Sequence, residues 1–395
     1  MEPDSQSMQK PIGGGGSSEK IEDRSAIGAE TAQKHVENSK LIYRSRIVFP
    51  SVGQLAKISA CAEAGLPRQI RVSVGSAIVL ELLKGKLDAE PTTVYLMTHN
   101  AGKCTANCGF CPQARTSQSK AELLSRVSWP AFPTEMVLRS VDTAVVNGEI
   151  RRVCIQALNY PDVFKHLVAL VTAIKQHATI PISVSCQPLN RENTRHLAEA
   201  GVDRVGIALD AATEKLFSQV KGSRANGPYN WKNQFTQLRE AVSLFGKGNV
   251  STHIIIGLGE NEKDAISLIQ KCMDLGVLPA LFAFTPIRGT ALESKSQPLL
   301  ASYRRIQLAR YLIVNEAANY GGMCFDAYDK IVDFGMDKEK LDQIIETGKP
   351  FFTSGCPDCN RPFYNEKPSG PIYNYPRNMR REEISAIKRQ LNLEP

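Results

Sequence analysis

Three cysteines, Cys104, Cys108 and Cys111 in the stretch KCTANCGFCPQA, pose the first chemical question. The spacing C-x3-C-x2-C puts three thiolate donors on one short loop. Such a trio can hold three irons of a cubane and leave the fourth iron open, whereas a structural iron–sulfur or zinc site normally takes four protein ligands. A compact trio therefore points to a cluster that must bind something else. The competing pattern is a zinc ribbon pairing Cys108 and Cys111 with Cys356 and Cys359, which leaves Cys104 without a task.

The chain has 395 residues, ten of them cysteine. Its first thirty residues mix Glu2, Asp4, Glu19, Glu22 and Asp23 with GGGGSS and fit neither an export signal nor a transit peptide. A cytoplasmic location is therefore expected. The cysteines are then expected to serve metal, redox chemistry or burial rather than disulfides. No apolar run reaches membrane-spanning length. Lys+Arg 48 against Asp+Glu 40 gives a net charge of +8, and the one dense basic cluster is Arg377 to Arg381. That balance fits an ordinary solvated surface, or weak steering toward an acidic partner, and does not suggest a nucleic-acid binder.

The elements that must position the thiols follow from hydrophobic periodicity. Residues 1–33 read as a disordered tail. Residues 34–91 read as an N-terminal helical segment, with VGQLAKISACAEAG and GSAIVLELLKGK carrying apolar residues at three- and four-residue spacing. From residue 92 to 363, eight strand-like runs alternate with helical patterns: TTVYLMT, RRVCIQAL, IPISVSC, DRVGIAL, NVSTHIIIG, LPALFAFTP, GGMCFDA and KPFFTSG. Strands apolar on both faces and separated by helices predict an α/β fold, a (β/α)8 TIM-type barrel, with a doubly wound open sheet as the alternative. Residues 364–395 form a Pro- and Tyr-rich basic extension.

In such a barrel the chemistry sits at the C-terminal ends of the strands. Cys104, Cys108 and Cys111 follow the first run, Cys154 lies in the second, Cys186 ends the third, Cys324 is in the seventh, and Cys356 and Cys359 follow the eighth. Cys61 and Cys272 fall inside helical patterns and read as buried small hydrophobes. His99 and His253 read as hydrogen-bonded barrel residues.

C-x3-C-x2-C after a first barrel strand, with Phe110 before the last cysteine, resembles the radical S-adenosylmethionine (SAM) superfamily. The resemblance implies a 4Fe–4S cluster whose open iron binds SAM. It also implies that the segment Ile254–Glu260, IIIGLGE, lies against adenine through the backbone of Ile256 and Gly257. GLGENE lacks the third glycine of a dinucleotide fingerprint. By the same resemblance Asp210, at the end of GIALD, meets the ribose hydroxyls, and Arg224 pairs with the SAM carboxylate.

Within the superfamily, VCIQALNYP, HLAEAGVDRVGIALD and FTPIRGTALE resemble biotin synthase, a family with a second, sulfur-donating cluster. Cys154 matches one of its ligands, but Ser183 and Ser251 fall where two further cysteines are expected, and Cys324 falls near its arginine ligand. The set Cys154, Cys324, Cys356 and Cys359 is the compensating expectation for a second cluster, with Cys186 in reserve. SGCPDCNRPFYNE and PSGPIYNYPR resemble the larger subunit of the two-component lipoyl synthase. That resemblance implies sulfur insertion into an octanoyl chain on a carrier domain, a second radical SAM subunit, and an electron donor such as ferredoxin or flavodoxin. Biotin synthase is the first alternative, and a maturase or rearrangement enzyme that consumes no sulfide is the second. An iron–sulfur scaffold or electron carrier is the non-enzymatic one.

Overall fold

The computed structural model describes residues 65–187 and 190–391, all within the unit Ile58–Pro395. The expected tail, the VGQLAKISACAEAG helix up to residue 64 and Cys61 lie outside the described residues. The strands are β1 Gln69–Val72, β2 Thr93–Thr98, β3 Leu123–Leu124, β4 Val127–Ser128, β5 Ala131–Pro133, β6 Arg152–Gln156, β7 Ile182–Ser185, β8 Arg204–Gly206, β9 Val250–Ile256, β10 Val277–Ala283, β11 Cys324–Phe325 and β12 Ile331–Asp333. The main sheet runs in the order β10-β9-β8-β7-β6-β2-β1-β5. Its strands β2 and β6 to β10 are parallel, while β1 is antiparallel to both β2 and β5.

The first six expected strands are thus present, and helices cross between them. The helix Val163–His177 buries Leu167, Leu170, Val171, Ala173 and Ile174 against the sheet. The helices after β7, β8 and β9 open on side-chain caps, where Asn190, Thr213 and Asn261 accept from the backbone N–H of Asn193, Leu216 and Asp264. These caps satisfy donors that the first helical turn leaves free.

The last two expected strands do not join the sheet, which stays open. Within the seventh run, Cys324–Phe325 instead forms β11 of a hairpin with β12, turned by Asp326, whose carboxylate accepts from the N–H groups of Tyr328 and Lys330. In KPFFTSG, Pro350 has no N–H for a ladder, and Lys349–Phe351 forms a 3-10 turn after Gly348 at φ 68°. The flank of β2 that a closing strand would need is taken by β1. At the other edge, the Leu281 N–H of β10 donates to Ser354 Oγ at 2.7 Å and the Pro279 carbonyl accepts from Arg310 at 2.6 Å. Side chains satisfy the edge that a neighbouring strand would otherwise pair. The segment expected to be wholly helical therefore contains β1, and among its described residues the helix is Val74–Val79.

One buried ion pair ties the far side together. Glu262, at the start of the helix Glu262–Asp274, receives Arg305 from the helix Leu300–Val314 at 3.1 and 3.0 Å through Nε and at 2.5 Å through Nη2. The same carboxylate accepts from Ile331 N–H of β12, and Arg305 Nη1 donates to the carbonyl of Leu391 in the C-terminal helix. Arg305→Met is expected to cost about 3–5 kcal/mol in denaturant unfolding, because Glu262 would stay buried without its partner. Glu262→Leu/Arg305→Met should recover most of that loss. A single variant as stable as wild type would show that the pair does not tie these elements.

Candidate functional site

Alternate residues of a strand point to opposite faces. On the helix-covered face lie Val94, Leu96, Val153, Ile155, Ile182, Val184, Val205 and Ile254, nearly all fully buried. The other face carries Tyr95 and Met97 of β2, Cys154 and Gln156 of β6, Ser183 and Ser185 of β7, Gly206 of β8, and Ser251 and His253 of β9. These side chains are mostly small or polar, and the sheet curves round a cavity of about 230 Å³ that they line.

Register sets them in rows. Tyr95 pairs with Cys154, Cys154 with Ser183, and Ser183 with Arg204. The next row is Met97, Gln156, Ser185, Gly206 and Ser251.

The cysteine trio follows the C-terminal end of β2, and all three line the cavity. Backbone bonds hold the loop. Cys104 N–H donates to Gln113 O at 3.0 Å, Thr105 N–H to Asn159 O at 2.8 Å, and Gly109 N–H to Val220 O at 2.7 Å. Asn107 spans the loop, donating to Ala225 O and accepting from Thr116. Burial pushes the Cys111 thiol up to about 12 and raises Cys108 well above its ordinary value. Both stay protonated at neutral pH until a metal displaces the proton, so loading releases protons.

Cys154, Cys356 and Cys359 gather at the opposite end. The loop holding the last two closes the N-terminal ends of β2 and β6. Thr92 N–H donates to Asn360 Oδ1 at 3.0 Å, Asn360 donates to Glu90 O at 2.7 Å, and Arg151 pairs with Asp358 at 3.2 Å. Cys359 Sγ lies 3.2 Å from the Tyr95 hydroxyl, Cys356 Sγ lies 3.4 Å from Ser183 Oγ, and Gln156 Nε2 donates to Cys154 Sγ at 3.1 Å. Burial raises Cys154 and Cys359, and in both cases the neighbouring thiols push the same way. The expectation that Cys356 and Cys359 follow an eighth strand at its C-terminal end is corrected: their loop is fastened at the N-terminal ends of β2 and β6, because the eighth run does not pair beside β2.

Other expected residues are scattered. Cys324 is exposed on the β11–β12 hairpin and does not line the cavity, so the structure does not bring it to Cys154. Cys186 is buried and lines the cavity beyond the end of β7, and Cys272 is buried in its helix as expected. Arg224 is exposed in the one-turn helix Ser223–Ala225 and points to no cavity wall. Ile255 lines the cavity, but Ile256 and Gly257 do not. Ile256 O accepts from Phe284 N–H at 2.8 Å, and Gly257, Leu258 and Gly259 all donate to the Glu260 carboxylate.

Asp210 does line the cavity, at φ 65°, on a continuation of β8 that bridges to Ile254. Its carboxylate holds Lys221, which the sequence reading missed. Lys221 Nζ donates to Asp210 Oδ2 at 2.7 Å and to Ala208 O, and lies 5.0 Å from the Tyr229 ring. Lys221 has no exposed surface, which explains why no sequence period marked it.

Among the described residues, no three His, Cys, Asp or Glu side chains could hold a single metal ion. Cys108 and Cys111 stand at one end of the cavity and Cys356 and Cys359 at the other, so the zinc ribbon has no common centre. A cubane instead takes each thiolate on a different iron. Three free thiols on one pinned loop facing a cavity fit that demand.

Residues 101–272 match the model of the radical SAM superfamily. This region of the chain resembles that superfamily. A biotin synthase of Sulfurihydrogenibium sp. (strain YO3AOP1) is 28% identical over 51% of this chain and 57% of its own length. The biotin synthase of Prochlorococcus marinus (strain MIT 9515) is 24% identical over 65% of this chain and 76% of its own length. The solved structure of methylornithine synthase superposes with a TM-score of 0.43 at 13% identity, over 68% of this chain and 86% of that one. The chain spans little more than half the length of the Sulfurihydrogenibium relative. The superfamily implies a 4Fe–4S cluster and SAM, and Cys104, Cys108 and Cys111 are the residues that would hold the cluster. Among the described residues no helix is long and apolar enough to cross a membrane.

Cys104→Ala, Cys108→Ala and Cys111→Ala are each expected to abolish reductive formation of 5′-deoxyadenosine from SAM. Cys324→Ala and Arg224→Ala should leave it within about twofold, being off the cavity. A chromatographic assay of 5′-deoxyadenosine decides. Wild-type rates in any trio variant, or loss in the two outlying ones, would overturn the placement.

Proposed function

We propose that this chain is a sulfur-inserting radical SAM enzyme with two iron–sulfur clusters, the larger component of a two-subunit lipoyl synthase. The observation that carries the reading is the placement of two cysteine sets at opposite ends of one cavity. Cys104, Cys108 and Cys111 would hold one cluster, and Cys154, Cys356 and Cys359 the other. When bound, the first cluster with SAM supplies a 5′-deoxyadenosyl radical able to take a hydrogen atom from an unactivated carbon.

The chain supplies the rest. Alkyl C–H bonds are too weakly acidic for any side-chain base, and burial holds His253 down to about 4, hence neutral. Met97, Leu124, Leu158, Trp129, Phe282 and Phe284 give the cavity an apolar lining that fits an alkyl chain and excludes water. A carbon held against this lining would lie between the thiols that would hold the SAM-binding cluster and those that would hold a sulfide-supplying one.

The octanoylated carrier domain, a second radical SAM subunit and a ferredoxin or flavodoxin donor belong to this proposal, as does a cytoplasmic site. The nine cysteines of the described residues are all free, which suits a reducing compartment. The mild net charge of +8 suits an acidic carrier. Biotin synthase is the second reading, favoured by the identity of the relatives. Against it, the cavity rows present Ser183 and Ser251, and thiols reach the same cavity from the C-terminal loop instead.

Cys356→Ala/Cys359→Ala should keep SAM cleavage and form no thiolated product from an octanoylated carrier peptide, SAM and reductant, as read by mass spectrometry. Sulfur insertion by that variant would remove the second cluster from the mechanism. Thiolation of dethiobiotin but not the peptide by wild type would make the chain a biotin synthase.

A further inference from the structure

Among the described residues, Lys221 is the one charged side chain with 0% exposure. A buried ammonium is costly unless it is paired. Its one ion pair among these residues is with Asp210, and Ala208 O takes a second N–H. An apolar pair of equal volume would serve stability as well or better, so stability alone does not account for a lysine here. The loop is nonetheless shaped around it. Lys221 N–H and Gly222 N–H both donate to Phe217 O, at 2.9 and 2.8 Å. Gly227 packs so closely on the Lys221 carbonyl that a Cβ there would stand 1.9 Å from the oxygen.

The cysteine trio lies next to this loop. Gly109, which follows Cys108, donates its N–H to the carbonyl of Val220, which precedes Lys221, at 2.7 Å. A second route runs through Tyr229, whose ring stands 5.0 Å from Lys221 Nζ. The Tyr229 hydroxyl accepts from Asn159 Nδ2 at 2.6 Å, and Asn159 N–H donates to Cys104 Sγ at 3.2 Å. Burial raises Cys108, and the Lys221 charge is the strongest influence opposing that rise, while Asp210 acts the other way and more weakly. The positive end of the pair is thus felt at Cys108 more than the negative end.

A cubane on three thiolates is an anion, and it becomes more negative when it takes up an electron. Net charge and hydrogen bonds to the sulfurs set the potential of such clusters. A fixed cation in a buried site therefore favours the reduced form. We propose that Lys221 is a positioning residue that acts as the counter-charge of the trio cluster and makes it easier to reduce. Asp210 holds the ammonium in place, and the Asn159 N–H on Cys104 works in the same direction. The electron comes from the external donor, and no covalent bond to Lys221 forms or breaks. The inference rests on the radical SAM reading of the trio and needs no second cluster.

The test is a redox titration of the full chain carrying its clusters, with dithionite and mediators, followed by electron paramagnetic resonance. The signal of the trio cluster is the one that Cys108→Ala removes. At the wild-type midpoint, Lys221→Met should lower the ratio of reduced to oxidised cluster about tenfold, a shift of about 59 mV to lower potential. Asp210→Asn should shift it the other way, because the anionic cluster then becomes the main counter-charge of the lysine. Both single variants break the ion pair and should destabilise the metal-free chain in thermal unfolding, so a merely structural role would move both potentials together. Asp210→Asn/Lys221→Met should recover that stability yet keep the reduced ratio about threefold below wild type, and it serves where a single variant does not fold. An unchanged ratio in Lys221→Met or in the double variant, or a shift of both single variants in one direction, overturns the inference. A wild type without a signal that Cys108→Ala removes overturns the radical SAM reading and this inference with it. Opposed shifts in a chain that inserts no sulfur leave this inference standing and remove the sulfur-insertion reading.

Discussion

The two-faced nature of a β-strand is the constraint on which this site depends. Side chains alternate, so each parallel strand commits one set of residues to the helices and the other to the cavity. The helix face is Val, Ile and Leu, and its burial holds the sheet. The cavity face can then be spared large apolar groups, as Cys154, Ser183, Ser185, Gly206 and Ser251 show. A single-residue slip of β6 would turn Cys154 into the helix-packed core and Val153 into the cavity. Register thus decides whether a thiol from mid-strand can meet thiols from a loop two hundred residues later in sequence.

The openness of the sheet follows from a competition for edges. β1 occupies the flank of β2, and Ser354 and Arg310 satisfy β10. The chain after β10 is therefore free to reach the N-terminal ends of β2 and β6, where Asp358 and Asn360 fasten it to Arg151, Thr92 and Glu90. That route carries Cys356 and Cys359 there. Asp358, Arg361 and Phe363 hold φ of 63°, 30° and 52° along it, a conformation unfavourable for ordinary side chains. The Arg361 guanidinium stacks 3.7 Å from the Phe282 ring centre, and the Arg361 backbone N–H donates to the Tyr95 hydroxyl at 3.0 Å. The loop and the strands are thus one packed unit.

Much of this was legible in the sequence where local pattern and chemistry agree. The trio spacing marked Cys104, Cys108 and Cys111, and six strands were readable because each is an apolar run bounded by turn residues. The last two strands were not, because an apolar run such as KPFFTSG is equally consistent with a packed 3-10 turn. Nothing local says which edge it will reach. Cys324 is expected from its place in a closed barrel, and once the sheet stays open that place no longer faces the cavity; Arg224 is expected from family resemblance alone, and it stands exposed off the cavity. Lys221 carries no motif and owes its position to Asp210, eleven residues earlier.

In the function we propose, one cavity separates two iron–sulfur clusters held by thiols at its opposite ends. Iron and acid-labile sulfide analysis of the anaerobically purified wild-type chain tests it most directly. Two cubanes require about eight irons and about eight sulfides per chain. About four of each, unchanged after reconstitution with excess iron and sulfide, would contradict the claim.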